Sequence, residues 1–359
     1  MSCETIKKQS FAESIFESRI TNGAGLAAAK RDREDLCRPY AVRPTTFSRL
    51  ADVRMLYQVR HITRYVYEAD VTMSQHILRL TPRDLPRQRR LEHELQIEPA
   101  PSGRSHHTDY FGNAVETLTI EHSHSTLRVE SSSQVEVSSA ELPPPKETVA
   151  WDVYAVRPGE DITAGELAVQ EFLFDSPLVR QHADLLDYSR PSFPKDRPVV
   201  EAVLDLTARI FADFKFDPKA TTVATPLKDV LRLRRGVCQD FAQLQVGCLR
   251  SMGLPARYVS GYLETIPSPG KDKLVGADAS HAWVSFFCPG VGWIDVDPTN
   301  NLFPSDRHIT VAWGRDYSDV SPIRGVILGA GGHELKVSVD VTRISERTED
   351  SAKTSERSA

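Results

Sequence analysis

The sequence predicts an α+β protein in two modules, an N-terminal antiparallel β-sandwich followed by a module that mixes helices with short strands. Three observations lead there. From Met55 to Val137, short runs alternate apolar and polar residues with the period of two that a half-buried strand needs. The stretch "ELPPPKET", Glu141 to Thr148, then breaks the pattern, because three consecutive prolines continue neither a helix nor a central strand. From about Leu167 the apolar spacing becomes i, i+3, i+4, the signature of helices that bury one face.

Residues 1–54 carry many charges, a small-residue patch "GAGLAAAK" and no sustained period, so they read as a disordered extension. Met55 has the look of an alternative start. The sandwich is expected over 55–142, with strands at "MLYQVRHITRYVYEADV", "HILRLTPR", "LEHELQIEP", "AVETLTIEH" and "LRVESSSQVEV". His106 and His107, in "RSHHTDYFGN", are assigned to a loop rather than to a metal. The second module is expected over 150–345, with helices at "AVQEFLFDSPLV" and "VVEAVLDLTARIFADFKF". Strands follow at "ARYVSGYL", "HAWVSFFC", "GWIDVDP" and "ELKVSVDVTRI". A polar, disordered tail takes up 346–359.

A chain of 359 residues with 40% hydrophobic residues has material for a sizeable core. Its 44 basic and 49 acidic residues leave a net charge of -5 with no long single-sign block, which argues against nucleic acid and against an anionic membrane as partners. No apolar run is long enough to span a bilayer, and the first twenty residues lack the apolar stretch of a secretion signal. The five cysteines are odd in number and form no Cys-x-x-Cys pair, so reduced thiols in a cytoplasmic protein are expected, with no structural zinc.

Chemistry concentrates around "RRGVCQDFAQ". Phe241, Leu244, Cys248 and Met252 share one helical face, and "MGLP" ends the helix with a glycine and a proline, which puts Cys238 at its N-terminus. Free backbone N–H groups and the positive end of the dipole there favour a thiolate and can hold an oxyanion. Asp240, in the same turn, would oppose the thiolate if it faced the sulfur, so it is expected to bond to backbone or solvent. Cys248 and Cys288 read as buried apolar side chains. A thiolate nucleophile needs a histidine for proton transfer and a third group to orient that histidine. His281 shares a strand face with Trp283 and Ser285, and Asp295 and Asp297 share a face of the next strand, which leaves two carboxylates for one role. Metal binding by Cys238, His281 and Asp297 is the weaker reading, since no compact ligand pair accompanies them.

Taken in order, "RRGVCQDFA", "GLPARYVSGY", "SHAWV" and "GWIDVDPTN" resemble the transglutaminase-like superfamily of papain-like cysteine enzymes. "YQVRHITRYVYEADVTMSQHILRLTPR", "DYFGNAVETLTIEHSHSTLRV" and "GRDYSDVSPIRGVILGAGGHELKVSVDV" are similar to the flanking regions of its bacterial members, so the resemblance runs from about Met55 to Ile344. It implies a papain-like catalytic domain with a triad of Cys238, His281 and Asp297, no cofactor, no metal, and a peptide or protein as substrate. Hydrolysis, as a cysteine peptidase or amidase, is the favoured outcome. A protein-glutamine transglutaminase and a non-catalytic scaffold are the alternatives.

Strand register bears on the two carboxylates. If the hairpin joining "SHAWVSFF" to "GWIDVDP" turns about Pro289, Asp297 lies opposite His281 and Asp295 opposite Trp283.

Overall fold

Burial that alternates from Tyr57 to Arg64 marks the beginning of a strand that organises one end of the molecule. The computed structural model describes residues 54–139, 142–154, 164–265, 280–329 and 331–347. The extension expected over 1–54, apart from Arg54 itself, lies outside them, as does the tail beyond Arg347. The first strands are β1 (Arg54–Leu78), β2 (Gln88–Glu98), β3 (Gly103–Thr108), β4 (Ala114–Ile120) and β5 (His124–Ser138). Then come α1 (Trp151–Tyr154), α2 (Ala164–Gln170), α3 (Ala183–Ser189), α4 (Val199–Asp213), β6 (Lys215–Phe216), α5 (Leu227–Leu233), β7 (Arg235–Gly236) and α6 (Cys238–Ser251). The chain continues through β8 (Ala256–Leu263), β9 (Ser280–Cys288), β10 (Gly292–Val296), β11 (His308–Gly314), α7 (Tyr317–Val320), β12 (Ile323–Gly329) and β13 (His333–Arg347).

β1 is one strand where the sequence suggests two. Up to Val66 it pairs with β5 on one side and β13 on the other; beyond Val71 it pairs with β4 and β12. Register shifts at the crossing let one strand serve two sheet halves. Leu95, Leu127 and Val129 from the first half pack with Leu78, Leu118 and Ile120 from the second in a single cluster, the filling of a sandwich. The last two strands thus hydrogen-bond to the first, although in sequence they follow the second module. β3 corrects the loop assignment of His106 and His107. All six of its residues are exposed, so it carries no apolar alternation, yet it pairs with β4 along its length.

The second module is built on an antiparallel sheet of order β10-β9-β8-β11. Ala282, Val284 and Phe286 of β9 share a core with Phe241, Leu244, Val246 and Leu249 of α6. Tyr57, Val59, Val135, Val137, Val339 and Val341 of the sandwich join the same core, so the two modules are fused through apolar contact. α6 is buried from Asp240 to Arg250 on every side, not along one stripe only. Most of its buried polar atoms are matched: Gln245 donates to Thr207, although its Oε1 has no partner, and Arg250 donates to the carbonyls of Phe174, Ala256 and Arg315. Two side-chain amides from the sandwich cover backbone groups of β11. Gln88 bonds both N and O of Thr310, and Asn113 both N and O of Trp313, in the manner of a neighbouring strand. Among the described residues no helix is long and apolar enough to cross a membrane.

Candidate active site

Cys238 owes its place to the turn before it. Arg234 ends α5 in the left-handed region at φ 54°, and Gly236 leads into α6. A Cβ on Gly236 would meet the Asp240 carboxylate at 2.5 Å, so only glycine allows the approach. Asp240 accepts from the Val237 backbone N–H at 2.8 Å and from the Thr221 hydroxyl at 2.6 Å, which is the backbone bonding expected of it. Burial nevertheless holds its proton affinity above the usual carboxylate range. At the other end of α6, Gly253 at φ 79° closes the helix while the Leu254 N–H bonds back to Leu249. Cys238 itself is half-buried at the first position of the helix.

The hairpin of β9 and β10 does not turn about Pro289. The pairs are Gly292 with Cys288, Trp293 with Phe287 and Asp295 with Ser285, so the turn centres on Gly290. The reason is local: Val291 N–H bonds to Cys288 carbonyl, with Pro289 second and Gly290 third at φ 75°, a proline–glycine turn that leaves three residues in the loop. Asp297 therefore does not stand opposite His281. It reaches His281 from one step beyond β10, where the chain leaves the sheet and Asp297 bridges to Leu302. Asp297 Oδ2 lies 2.7 Å from His281 Nε2.

Asp297 is completely buried and saturated with donors. Oδ1 accepts from the Thr299 and Asn300 backbone N–H groups at 2.9 and 3.2 Å. Oδ2 accepts from Asn300 Nδ2 at 2.7 Å and faces His281 and His308, the latter with Nε2 at 3.2 Å. Burial alone would raise its pKa, but these hydrogen bonds outweigh burial and hold the carboxyl well below the usual carboxylate range. Burial likewise works against a charged His281, and there the hydrogen bonds to Asp297 and Cys238, with the charges of both, prevail and raise it to about 10. With Nε2 bonded to Asp297, Nδ1 is the ring nitrogen left for the Cys238 sulfur.

Asp295, the other candidate, is engaged elsewhere. Its Oδ2 takes Arg87 Nη2 at 2.8 Å and Trp283 Nε1 at 3.2 Å, an ion pair between sandwich and sheet. Cys248 and Cys288 are buried, and burial pushes their thiols up to about 12 and about 11. The structure thus brings Cys238, His281 and Asp297 together and leaves Asp295, Cys248 and Cys288 in structural positions. The sequence reading missed His308. "HITVAWG" has the composition of a strand buried on both faces, and nothing in it sets His308 apart from a core residue.

The donor atoms of His281, Asp297 and His308 lie within 4.8 Å of one another, close enough to be considered for a metal. Their hydrogen bonding favours a different use. A ligating imidazole passes its second ring N–H to an acceptor, whereas His308 Nδ1 accepts from the Ser305 backbone N–H at 3.3 Å, which puts the ring proton on the nitrogen that faces Asp297.

Residues 57–136 match the family described as the bacterial transglutaminase-like N-terminal region, and residues 188–298 match the transglutaminase-like superfamily. An uncharacterized protein of Mycobacterium tuberculosis is 42% identical over 294 residues, which cover 79% of this chain and 92% of that protein. The protein-glutamine gamma-glutamyltransferase of Pseudomonas aeruginosa is 36% identical over 107 residues, only 28% of this chain and 16% of that protein. Among solved structures, one from Cytophaga hutchinsonii described as a candidate cysteine protease superposes with a TM-score of 0.65 at 20% identity, covering 81% of this chain and 91% of that one.

Proposed function

The chain belongs to the transglutaminase-like superfamily, and from that premise we propose that it is a thiol acyl-transfer enzyme acting on peptide or amide bonds. Cys238 Sγ attacks the carbonyl carbon, and the bond's electron pair moves to oxygen near the free N–H groups that begin α6. As the tetrahedral centre collapses, the protonated His281 gives its proton to the departing amine, leaving an acyl thioester on Cys238. Neutral His281 then takes a proton from water, the hydroxyl adds to the thioester carbonyl, and the acid leaves as the sulfur is released beside a protonated His281. Asp297 holds the ring by Nε2 throughout and stabilises its cationic form.

The observation that carries this reading is the 2.7 Å bond from His281 Nε2 to Asp297, which leaves the other ring nitrogen for the hydrogen bond with the Cys238 thiol. Water is our preferred acceptor. An amine acceptor, which would make the protein a cross-linking enzyme, is the second reading, and it draws on the name of the Pseudomonas relative. To test both, the protein is incubated with a glutamine-containing peptide library, quenched in acid and digested, and the Cys238 peptide is weighed. An acyl adduct on wild type and none on Cys238→Ala is expected, with product released in the absence of added amine. Absence of any adduct would overturn the enzyme reading, and incorporation of a fluorescent primary amine faster than hydrolysis would move it to transamidation. We take the cytoplasm as the compartment, on the free state of Cys238, Cys248 and Cys288; recovery of the protein in a periplasmic fraction would overturn that.

A further inference from the structure

We propose that His308 is a positioning residue of the active site: as the neutral Nε2–H tautomer it donates to Asp297 Oδ2 and keeps that carboxylate ionised and aimed at His281. The inference rests on the triad read above.

The tautomer follows from unambiguous donors and acceptors. The Ser305 backbone N–H can only donate, so His308 Nδ1 accepts, at 3.3 Å, and the ring proton is on Nε2. That nitrogen is 3.2 Å from Asp297 Oδ2, which can only accept while ionised. The ring cannot easily swing away. It is 1% exposed and lies edge-on to Trp283, with centroids 5.3 Å apart and planes at 84°. Burial holds His308 below the ordinary histidine range, against the pull of Asp297. The other ionisable groups that act on it are His281 of β9 and Asp295 of β10, and the latter is already paired with Arg87.

The location of each donor on Asp297 shows why His308 matters. Thr299 and Asn300 lie in the same turn as Asp297, so their bonds to it shape that turn, and outside it Asn300 Nδ2 comes within 3.4 Å of His281 Nε2, on the ring that has to be oriented. His281 is the group to be oriented. His308, at the start of β11, is the remaining donor, and it anchors the turn to the sheet from outside. Without it the carboxylate keeps its burial, loses one charge-assisted hydrogen bond, and takes up a proton at higher pH. His281 then loses its anionic partner at a higher pH than in wild type.

The test is the pH profile of Cys238 alkylation by iodoacetamide in wild type, His308→Leu, His308→Gln and Asp297→Asn. Glutamine can place an N–H where Nε2 stood; leucine cannot. The acid limb of His308→Leu should move up by about one pH unit, which is roughly a tenfold slower reaction below the limb. His308→Gln should stay within about twofold of wild type. A shifted Asp297→Asn profile beside an unchanged His308→Leu profile would overturn the role of His308 alone. Unchanged profiles in both would overturn the triad reading and this inference with it. If the leucine variant does not fold, nitrogen-15 spectra of the wild-type ring decide. An unprotonated Nδ1 and a protonated Nε2 across the neutral range are expected, and an Nδ1–H tautomer or a cationic ring would overturn the proposal.

Discussion

Asp295 and Asp297 are the same residue type, two positions apart at the end of one strand, yet they live in opposite electrostatic company. Asp295 pairs with a guanidinium that never gives up its proton, plus an indole N–H. Asp297 is ringed by neutral donors and one imidazole whose charge can change. A carboxylate beside a permanent cation is a fastener. The same group beside a titratable partner can steer a proton. The difference between them is therefore set by the partner's chemistry rather than by the aspartate.

That contrast can be broken most decisively by replacing each carboxylate with its amide. Asp297→Asn should lower acyl transfer by about four orders of magnitude, since the amide neither stabilises a cationic His281 nor favours its working tautomer. Asp295→Asn should cost less than tenfold. Comparable losses in both variants, measured on folded protein, would erase the distinction. A second comparison sets Cys238 against the packed thiols. Substoichiometric iodoacetamide at neutral pH should label Cys238 well before Cys248 or Cys288, whose burial raises them to about 12 and about 11. Equal labelling in the native state would remove the nucleophile.

A smaller effect concerns stability. His281 is raised from 6.5 to about 10 on folding, so its contribution is complete below pH 6.5 and is lost as pH rises through about 10. The thermal midpoint of wild type should fall by several degrees over that window, and Asp297→Asn should flatten the decline. A wild-type midpoint that holds level from pH 6.5 to 10 would contradict the proton uptake. The smallest expected change is that of Arg87→Met, which removes the fastener's cation and strands a partly buried carboxylate. It should lower stability by about 1–3 kcal/mol and leave the pH profile of Cys238 alkylation where it was. A shifted profile would show that the Asp295 pair also tunes the site.

The sequence made much of this site legible because its chemistry sits on strong local signals. Cys238 comes two residues after a glycine at a helix start and His281 lies at the beginning of a strand, so residue types and position were enough. The structure joins His281 to Asp297, on a register other than the one a turn about Pro289 would give. Only the three-residue loop around Gly290 fixes that register, and a two-residue slip is invisible to alternation. His308 escaped because a buried histidine in an apolar strand looks like any core residue until the fold brings it to Asp297. β3 escaped for the opposite reason: with every side chain exposed, it leaves no hydrophobic trace. The pairing of β12 and β13 with β1 is a long-range choice that no local window contains.

That pairing also bears on how the molecule comes into being. A chain made from its N-terminus presents β1 early, with β5 and β4 soon available along it, while its partners β13 and β12 come last. Everything that builds the thiol site is synthesised in between. The sandwich therefore cannot close before the catalytic segment has left the ribosome, and until then β1 offers unpaired backbone to any passing strand. Closure at such high contact order makes slow, late-completing folding the expected behaviour, with the nascent chain most prone to aggregation until β12 and β13 emerge.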